Sequence, residues 1–118
     1  MDWRPGHWEL FCADTARARD FYERILGAQL LEEQEGRYVW LLLGAQELLL
    51  RPGKTVRTDS YGQAGQALVL YTDDLSAARA ALKKRGLEFR GEDGHPDCPT
   101  FQDPDGHWFQ LVNPGELD

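Results

Sequence analysis

The chain has 118 residues and a mass of 13.4 kDa, with 42% hydrophobic and 28% charged residues. Those values exclude two independent domains, wholesale disorder and a small fold built on a disulfide framework. Thirteen Lys and Arg against 20 Asp and Glu leave a net charge of −7, which repels phosphate backbones, so nucleic acid is not an expected partner. No apolar run approaches the ~20 residues of a membrane span. The start MDWRPGHWEL has neither the basic end nor the apolar stretch of a signal peptide, so a cytoplasmic location without a membrane partner is expected. Cys12 and Cys98 stand in dissimilar settings with no metal-ligand spacing, and reduced thiols are expected at both.

In chain order, a strand-length segment over 7–13 leads to Asp14 or Thr15 as a helix N-cap. Ala18, Phe21, Tyr22, Ile25 and Leu26 follow at i, i+3, i+4, i+7 and i+8, the spacing of one helix face, and Gly27 ends the helix. Three extended segments are predicted over 28–34, 37–43 and 46–51, separated by turn signals at Glu35-Gly36 and Gly44-Ala45. Residues 52–65 lack apolar periodicity and read as a linker. A second strand-to-helix passage then begins: QALVLYT over 66–72, an acidic N-cap at Asp73 or Asp74, Leu75, Ala78 and Leu82 on the helix, and a stop at Gly86. Short extended pieces are predicted near 87–90, 99–102 and 107–112, with Asp103-Pro104-Asp105-Gly106 as a tight turn before the last.

The two halves repeat. A shift of 59 residues sets Asp14 on Asp73, Ala18 on Ala77, Gly27 on Gly86 and Leu30 on Phe89, which points to a duplicated βαβββ unit over about 5–51 and 66–114 of a single α+β domain spanning 1–118.

Such a duplication, with His7, Asp14, FYERILG over 21–27, a loop ending at Gly65 and DPDGHWFQLVNP over 103–114, resembles the glyoxalase, bleomycin-resistance and extradiol-dioxygenase superfamily, the vicinal oxygen chelate proteins. The resemblance implies a curled eight-stranded mixed sheet with helices outside, a ligand held on its cupped inner face, and pairing of units across a homodimer. It also implies metal-ligand positions at His7, Glu47, Gln66 and Gln110. Gln66 stands where many members have His, and Gln110 where glyoxalases and dioxygenases have Glu. A carboxamide carries no charge and cannot serve as a base near neutral pH, so proton-abstraction chemistry loses its key group. A 2-His-1-carboxylate iron site is missing two of its three donors.

Period-two alternation from His7, applied to the strands of such a fold, gives Glu9, Phe11, Tyr38, Trp40, Leu42, Leu49, Arg51, Leu68, Leu70 and Trp108 as ligand-lining positions, to which the resemblance adds Glu47, Gln66 and Gln110. Cys12 alternates to the helix side, and no Ser, Thr or Cys stands in a nucleophile-base pattern. His95 reads as a solvated loop residue, and His107 alternates away from Trp108. The resulting expectation is metal-independent binding of a small, partly aromatic antibiotic or secondary metabolite, in the manner of bleomycin-resistance proteins, with no catalytic residue and no cofactor. The alternative is a glyoxalase-type lyase or isomerase with a divalent metal on His7, Glu47 and Gln66.

Overall fold

Asp14 and Asp74 each end a strand and start a helix, and the chain is organised around these two points. A computed structural model describes residues 2–116, which divide into two units between Thr55 and Val56. Unit 1 runs β1 (Trp8–Cys12), α1 (Thr15–Asp20) continuing through a π-helical turn (Phe21–Ile25), β2 (Gln29–Gln34), β3 (Tyr38–Leu43) and β4 (Gln46–Pro52). Its sheet has the order β1-β4-β3-β2, with β1 parallel to β4 and the remaining pairs antiparallel.

The helix starts where it does because the Asp14 carboxylate accepts hydrogen bonds from the Ala16 and Arg17 amides at 3.0 and 3.1 Å. Alternation along three strands then places Leu10, Cys12, Val39, Leu41, Leu48 and Leu50 on one face, all buried, while α1 packs on β3 and β4 and buries Ala18. Tyr22 and Ile25, from the π turn, complete this core. Each Leu so buried contributes roughly 1.5–3 kcal/mol. Between β2 and β3, Glu35 and Gly36 both take positive φ, at 55° and 67°, and the Arg37 amide donates to the Gln34 carbonyl. This is the mirror-image hairpin turn that the Glu35-Gly36 signal predicts.

Unit 2 runs β5 (Ala67–Tyr71), α2 (Leu75–Lys84), β6 (Thr100–Gln102) and β7 (Trp108–Val112), in the sheet order β5-β7-β6. Strands β5 and β7 are parallel, and β6 and β7 antiparallel. Phe101 and Phe109 stack at 5.0 Å between ring centroids, and with Leu75, Leu82, Leu87 and Leu111 they are among the buried apolar residues of this half.

Among the described residues the fold is α+β with seven strands in two mixed sheets, where eight were expected. The segment over 87–90 is not a strand. The Arg90 amide donates to the Thr100 carbonyl at 2.7 Å, but Gly91 and Gly94 take positive φ and only an isolated bridge joins Glu92 to Pro99. Two left-handed glycines and two prolines, Pro96 and Pro99, interrupt the ladder before it forms.

The repeat also shifts by one residue. The N-cap of α2 is Asp74, whose carboxylate accepts from the Ala77 amide at 3.0 Å, so Asp14 corresponds to Asp74 and the strands are offset by 60. Gly27 follows its cap by thirteen positions and Gly86 by twelve, and both take positive φ. The extra residue is absorbed by the π turn, in which the Leu26 amide reaches back five residues to the Phe21 carbonyl. At the glycines that end the helices the offset is 59, which is why that spacing is visible in the sequence at Gly27 and Gly86.

The expected linker over 52–65 is mostly not a linker. Strand β4 continues to Pro52, and Arg57, Thr58 and Tyr61 are hydrogen-bonded to residues of unit 2. No helix among the described residues is long and apolar enough to cross a membrane.

Candidate functional site

The face of the unit 1 sheet opposite α1 carries a chain of polar contacts between aromatic rings. Register places Glu9 beside Leu49, Phe11 beside Arg51, Trp40 beside Leu49 and Leu42 beside Glu47, so these residues share one face. His7 and Tyr38 join it through their contacts. His7 Nε2 lies 2.8 Å from Glu9 Oε2, and Arg51 donates through its NH1 group to Glu9 Oε1 at 2.9 Å. An ionised carboxylate only accepts, so the proton in the first contact sits on Nε2. Both contacts, His7 foremost, hold the Glu9 carboxyl below its ordinary pKa, so Glu9 is an anion at neutral pH.

The rings follow the same chain. The His7 imidazole meets Trp40 edge-on, with centroids 4.6 Å apart. The Arg51 guanidinium lies over Phe11 at 5.2 Å and over Tyr38 at 5.9 Å, within cation-π range of both. Phe11 is 41% exposed although it is large and apolar. Its ring passes close to Gly53, where a Cβ would stand 2.5 Å from Phe11 Cδ1, so a side chain at 53 would displace the ring. Arg51 Nε is buried and has no hydrogen-bond partner among the described residues. An unpaired buried donor of this kind costs about 1–3 kcal/mol. Glu47 is exposed at the end of the same face.

Unit 2 departs from the expected lining set. Ala67 pairs with Trp108, Leu68 with Phe109 and Val69 with Gln110, so Leu68 and Leu70 lie with Phe109 and Leu111 on the face opposite Trp108 and Gln110. The face carrying Trp108 and Gln110 instead holds Ala67, Val69, Tyr71, Thr100 and Gln102. The physical reason is the 60-residue offset: one residue of slip moves every strand side chain to the other face. By this register the counterpart of His7 is Ala67, while Gln66 stands just outside β5.

Trp108 is not an open ligand-facing ring but is only 4% exposed. Its Nε1 donates to Thr58 Oγ1 at 2.8 Å, and Tyr61 meets it edge-on at 5.9 Å. The Gln110 amide donates to both the Tyr61 hydroxyl, at 3.0 Å, and Asp93 Oδ2, at 3.2 Å. Around these residues lies a cleft of about 560 Å³ whose lining includes Asp59, Tyr61, Arg90, Glu92, Asp93 and Trp108. Sequence reasoning missed most of it because the residues come from two segments without periodicity, 56–65 and 90–95. Tyr61, a lone aromatic in a run of Gly, Ser, Thr and Asp, was the available signal.

Of the four positions matched to metal ligands, His7 and Glu47 belong to unit 1, and Gln66 and Gln110 to unit 2. The Gln110 amide nitrogen donates to Tyr61 and Asp93, and Ala67 offers no donor at the place that answers to His7. Within unit 1, the register counterpart of Gln110 is Leu49, since Leu49 pairs with Glu9 as Gln110 pairs with Val69, and Leu49 is apolar. Among the described residues no three His, Cys, Asp or Glu side chains come together in a metal-holding group. These residues do not fit a divalent metal of the kind the resemblance implies. Neither Cys12 nor Cys98 is in a disulfide and both are buried, and burial, then the carboxylates of Asp93, Asp97 and Glu92, push the Cys98 thiol up. His95 stays in a loop, where Nδ1 accepts from the Asp97 amide at 3.0 Å.

No curated protein matches the sequence significantly. Among solved structures, the antibiotic-binding protein TnmS3 from Streptomyces sp. CB03234 is similar at 27% identity and a TM-score of 0.71, covering 97% of this chain and 98% of that one. The fosfomycin resistance protein FosX from Mesorhizobium loti has 21% identity and a TM-score of 0.72, with 95% and 92% covered. Lactoylglutathione lyase from Agrobacterium tumefaciens has 19% identity and a TM-score of 0.71, with 94% and 93% covered. At their level of identity the last two share the fold. The family model of the Glyoxalase/Bleomycin resistance protein/Dioxygenase superfamily matches residues 4–111, nearly the whole chain, and with the duplicated strand-helix-strand order it establishes that the chain belongs to this superfamily.

Proposed function

We propose that the protein reversibly binds a small, partly aromatic molecule of the antibiotic or secondary-metabolite class, without a metal and without chemical turnover. The observation that carries this reading is the unit 1 face, where Phe11, Tyr38 and Trp40 surround the His7-Glu9-Arg51 chain. Rings held in place by ionic contacts offer a flat ligand stacking surface at little cost in ordering. The likeness to TnmS3, an antibiotic-binding protein, supports the same class of ligand. A metal-dependent lyase or isomerase needs donors where this chain has Ala67 and Leu49, and a carboxylate where it has the uncharged Gln110. Self-association as a homodimer in the cytoplasm belongs to this proposal, and light scattering at micromolar concentration tests the dimer.

The test is a tryptophan-fluorescence titration against a panel of planar polycyclic antibiotics, repeated with Trp40→Ala and Phe11→Ala. Removing either ring is expected to weaken binding by about 1–3 kcal/mol, or roughly 5–150-fold in Kd, with chelator-treated protein binding as well as untreated. One Zn²⁺, Ni²⁺ or Mn²⁺ per chain that survives dialysis, with ligand affinity that depends on it, would sink the metal-free reading.

A further inference from the structure

The segment 56–64 lies over the Trp108 face of unit 2 without being part of its sheet. None of its residues is buried, and Val56 is 90% exposed. Among the described residues, no main-chain hydrogen bond joins it to a strand. Trp108 beneath it is nevertheless only 4% exposed. A closed-off ring is thus covered by a segment with no buried residue of its own.

Side-chain contacts hold the segment down. Arg57 donates through its NH2 group to the Pro104 carbonyl, and its stem crosses Gly106, where a Cβ would stand 2.9 Å from Arg57 Cγ. Thr58 accepts twice, through Oγ1 from Trp108 Nε1 at 2.8 Å and through its carbonyl from the Gln102 amide at 3.5 Å. The Tyr61 hydroxyl accepts from Gln110 Nε2 at 3.0 Å. Within itself the segment is braced. Gln63 Oε1 accepts from the Asp59 amide at 3.2 Å, the Thr58 hydroxyl donates to the Ser60 carbonyl at 3.3 Å, and the Ala64 amide closes the 3-10 turn (Tyr61–Gln63) on the Tyr61 carbonyl at 3.0 Å. Gly65 follows in open space, where a Cβ would meet nothing within 4 Å. Main-chain ladders and buried apolar area make local opening costly, and this segment has neither. Its hydrogen bonds are exchanged for bonds to water at a small net loss.

We propose that residues 56–64 form a strap that opens as one piece while the sheet beneath stays folded, and that when closed it occupies donors of its own sheet, Trp108 Nε1 and one proton of the Gln110 amide. Opening turns on Gly65 and frees both, so the strap gates access to this face. The inference stands apart from the aromatic-ligand reading, which is carried by unit 1.

Hydrogen exchange of the full chain in D₂O, followed by NMR with no ligand added, tests it. The protons compared are the Trp108 indole Nε1–H and the Leu111 amide of β7, which donates to the Pro99 carbonyl at 2.9 Å. Each is referred to its own unprotected exchange rate, and the indole proton is expected to be about 100-fold less protected than the Leu111 amide. Arg57→Ala and Tyr61→Phe each remove one strap contact and leave the Trp108–Thr58 bond and the Tyr61 ring position in place. Each should speed indole exchange roughly fivefold, the loss of one hydrogen bond, with Leu111 unchanged. A segment that merely adds to global stability would speed both protons alike. Equal protection of the two protons in the native chain, indole exchange that neither substitution speeds, or equal acceleration at Trp108 and Leu111 would each overturn the inference.

Discussion

The two units begin with the same instruction, a strand closed by an aspartate that caps a helix, and finish as different surfaces. In unit 1 four strands present a face on which Phe11, Tyr38 and Trp40 frame an Arg-Glu-His chain. In unit 2 three strands present the corresponding face, and residues 57–63 fold over it, burying Trp108 and leaving an acidic cleft. The difference teaches that a duplicated unit keeps its helix start and its apolar core and varies its second face. Core positions are constrained by close packing, whereas the other face answers to whatever lies on it. The π turn in unit 1 marks the same freedom, since one extra residue changes the strand offset without disturbing the cap or the terminating glycine.

The sharpest way to break the comparison is to remove one tryptophan from each half. Trp108→Ala empties a buried site and deprives Thr58 Oγ1 of its donor, so a loss of about 3–5 kcal/mol is expected, or roughly 12–20 °C in Tm. Trp40 is half-buried, and Trp40→Ala should cost about 1–2 kcal/mol while reducing ligand binding. Thermal melting of the two variants side by side decides it, and equal losses would mean that the two faces are equally covered.

A smaller effect sharpens the offset between the halves. Asp14→Ala and Asp74→Ala each remove a cap that accepts backbone amides, and each should destabilise the fold by about 1 kcal/mol in urea denaturation. Asp73→Ala should change it by less than ~0.5 kcal/mol, because surface positions without such a role rarely exceed that. A larger loss from Asp73 than from Asp74 would restore the 59-residue register at the strands.

The smallest effect concerns the ionic chain of unit 1, which has no counterpart where Val69 replaces Glu9. The folded-state pKa of Glu9 is lowered, first by His7 and then by Arg51, so its contribution is present above the ordinary glutamate value of 4.5 and is lost as pH falls through the lowered one. Wild type should therefore exceed Glu9→Gln in stability at pH 7 by a small margin that vanishes in acid, and a carboxyl titration followed by NMR should place Glu9 below the other exposed glutamates. A Glu9 that titrates with them would show that the contact with His7 does not persist in solution.

Much of this was legible without coordinates, and the reasons are local. Helix starts at aspartates, glycine stops at 27 and 86, the hairpin at Glu35-Gly36 and the face shared by Glu9, Phe11 and Trp40 all follow from capping, left-handed turns and alternation within single strands. The lining positions of unit 2 did not follow, because assigning Leu68 and Gln66 to the Trp108 face required the offset between halves to be right to one residue. A helix that contains a π turn looks in sequence like one that does not, since both leave the same apolar spacing at Tyr22 and Ile25.

The α+β class and the superfamily were legible in the sequence alone, because they rest on contacts between residues near in the chain and on motif order. Only the tertiary structure decided that Trp108 is enclosed, that Thr58 and Tyr61 belong to the second unit, and that Gln110 joins Tyr61 to Asp93. Those are side-chain contacts across 17 to 50 residues of chain, made by segments with no periodicity of their own, and nothing in local propensity records which distant partner a loop will meet.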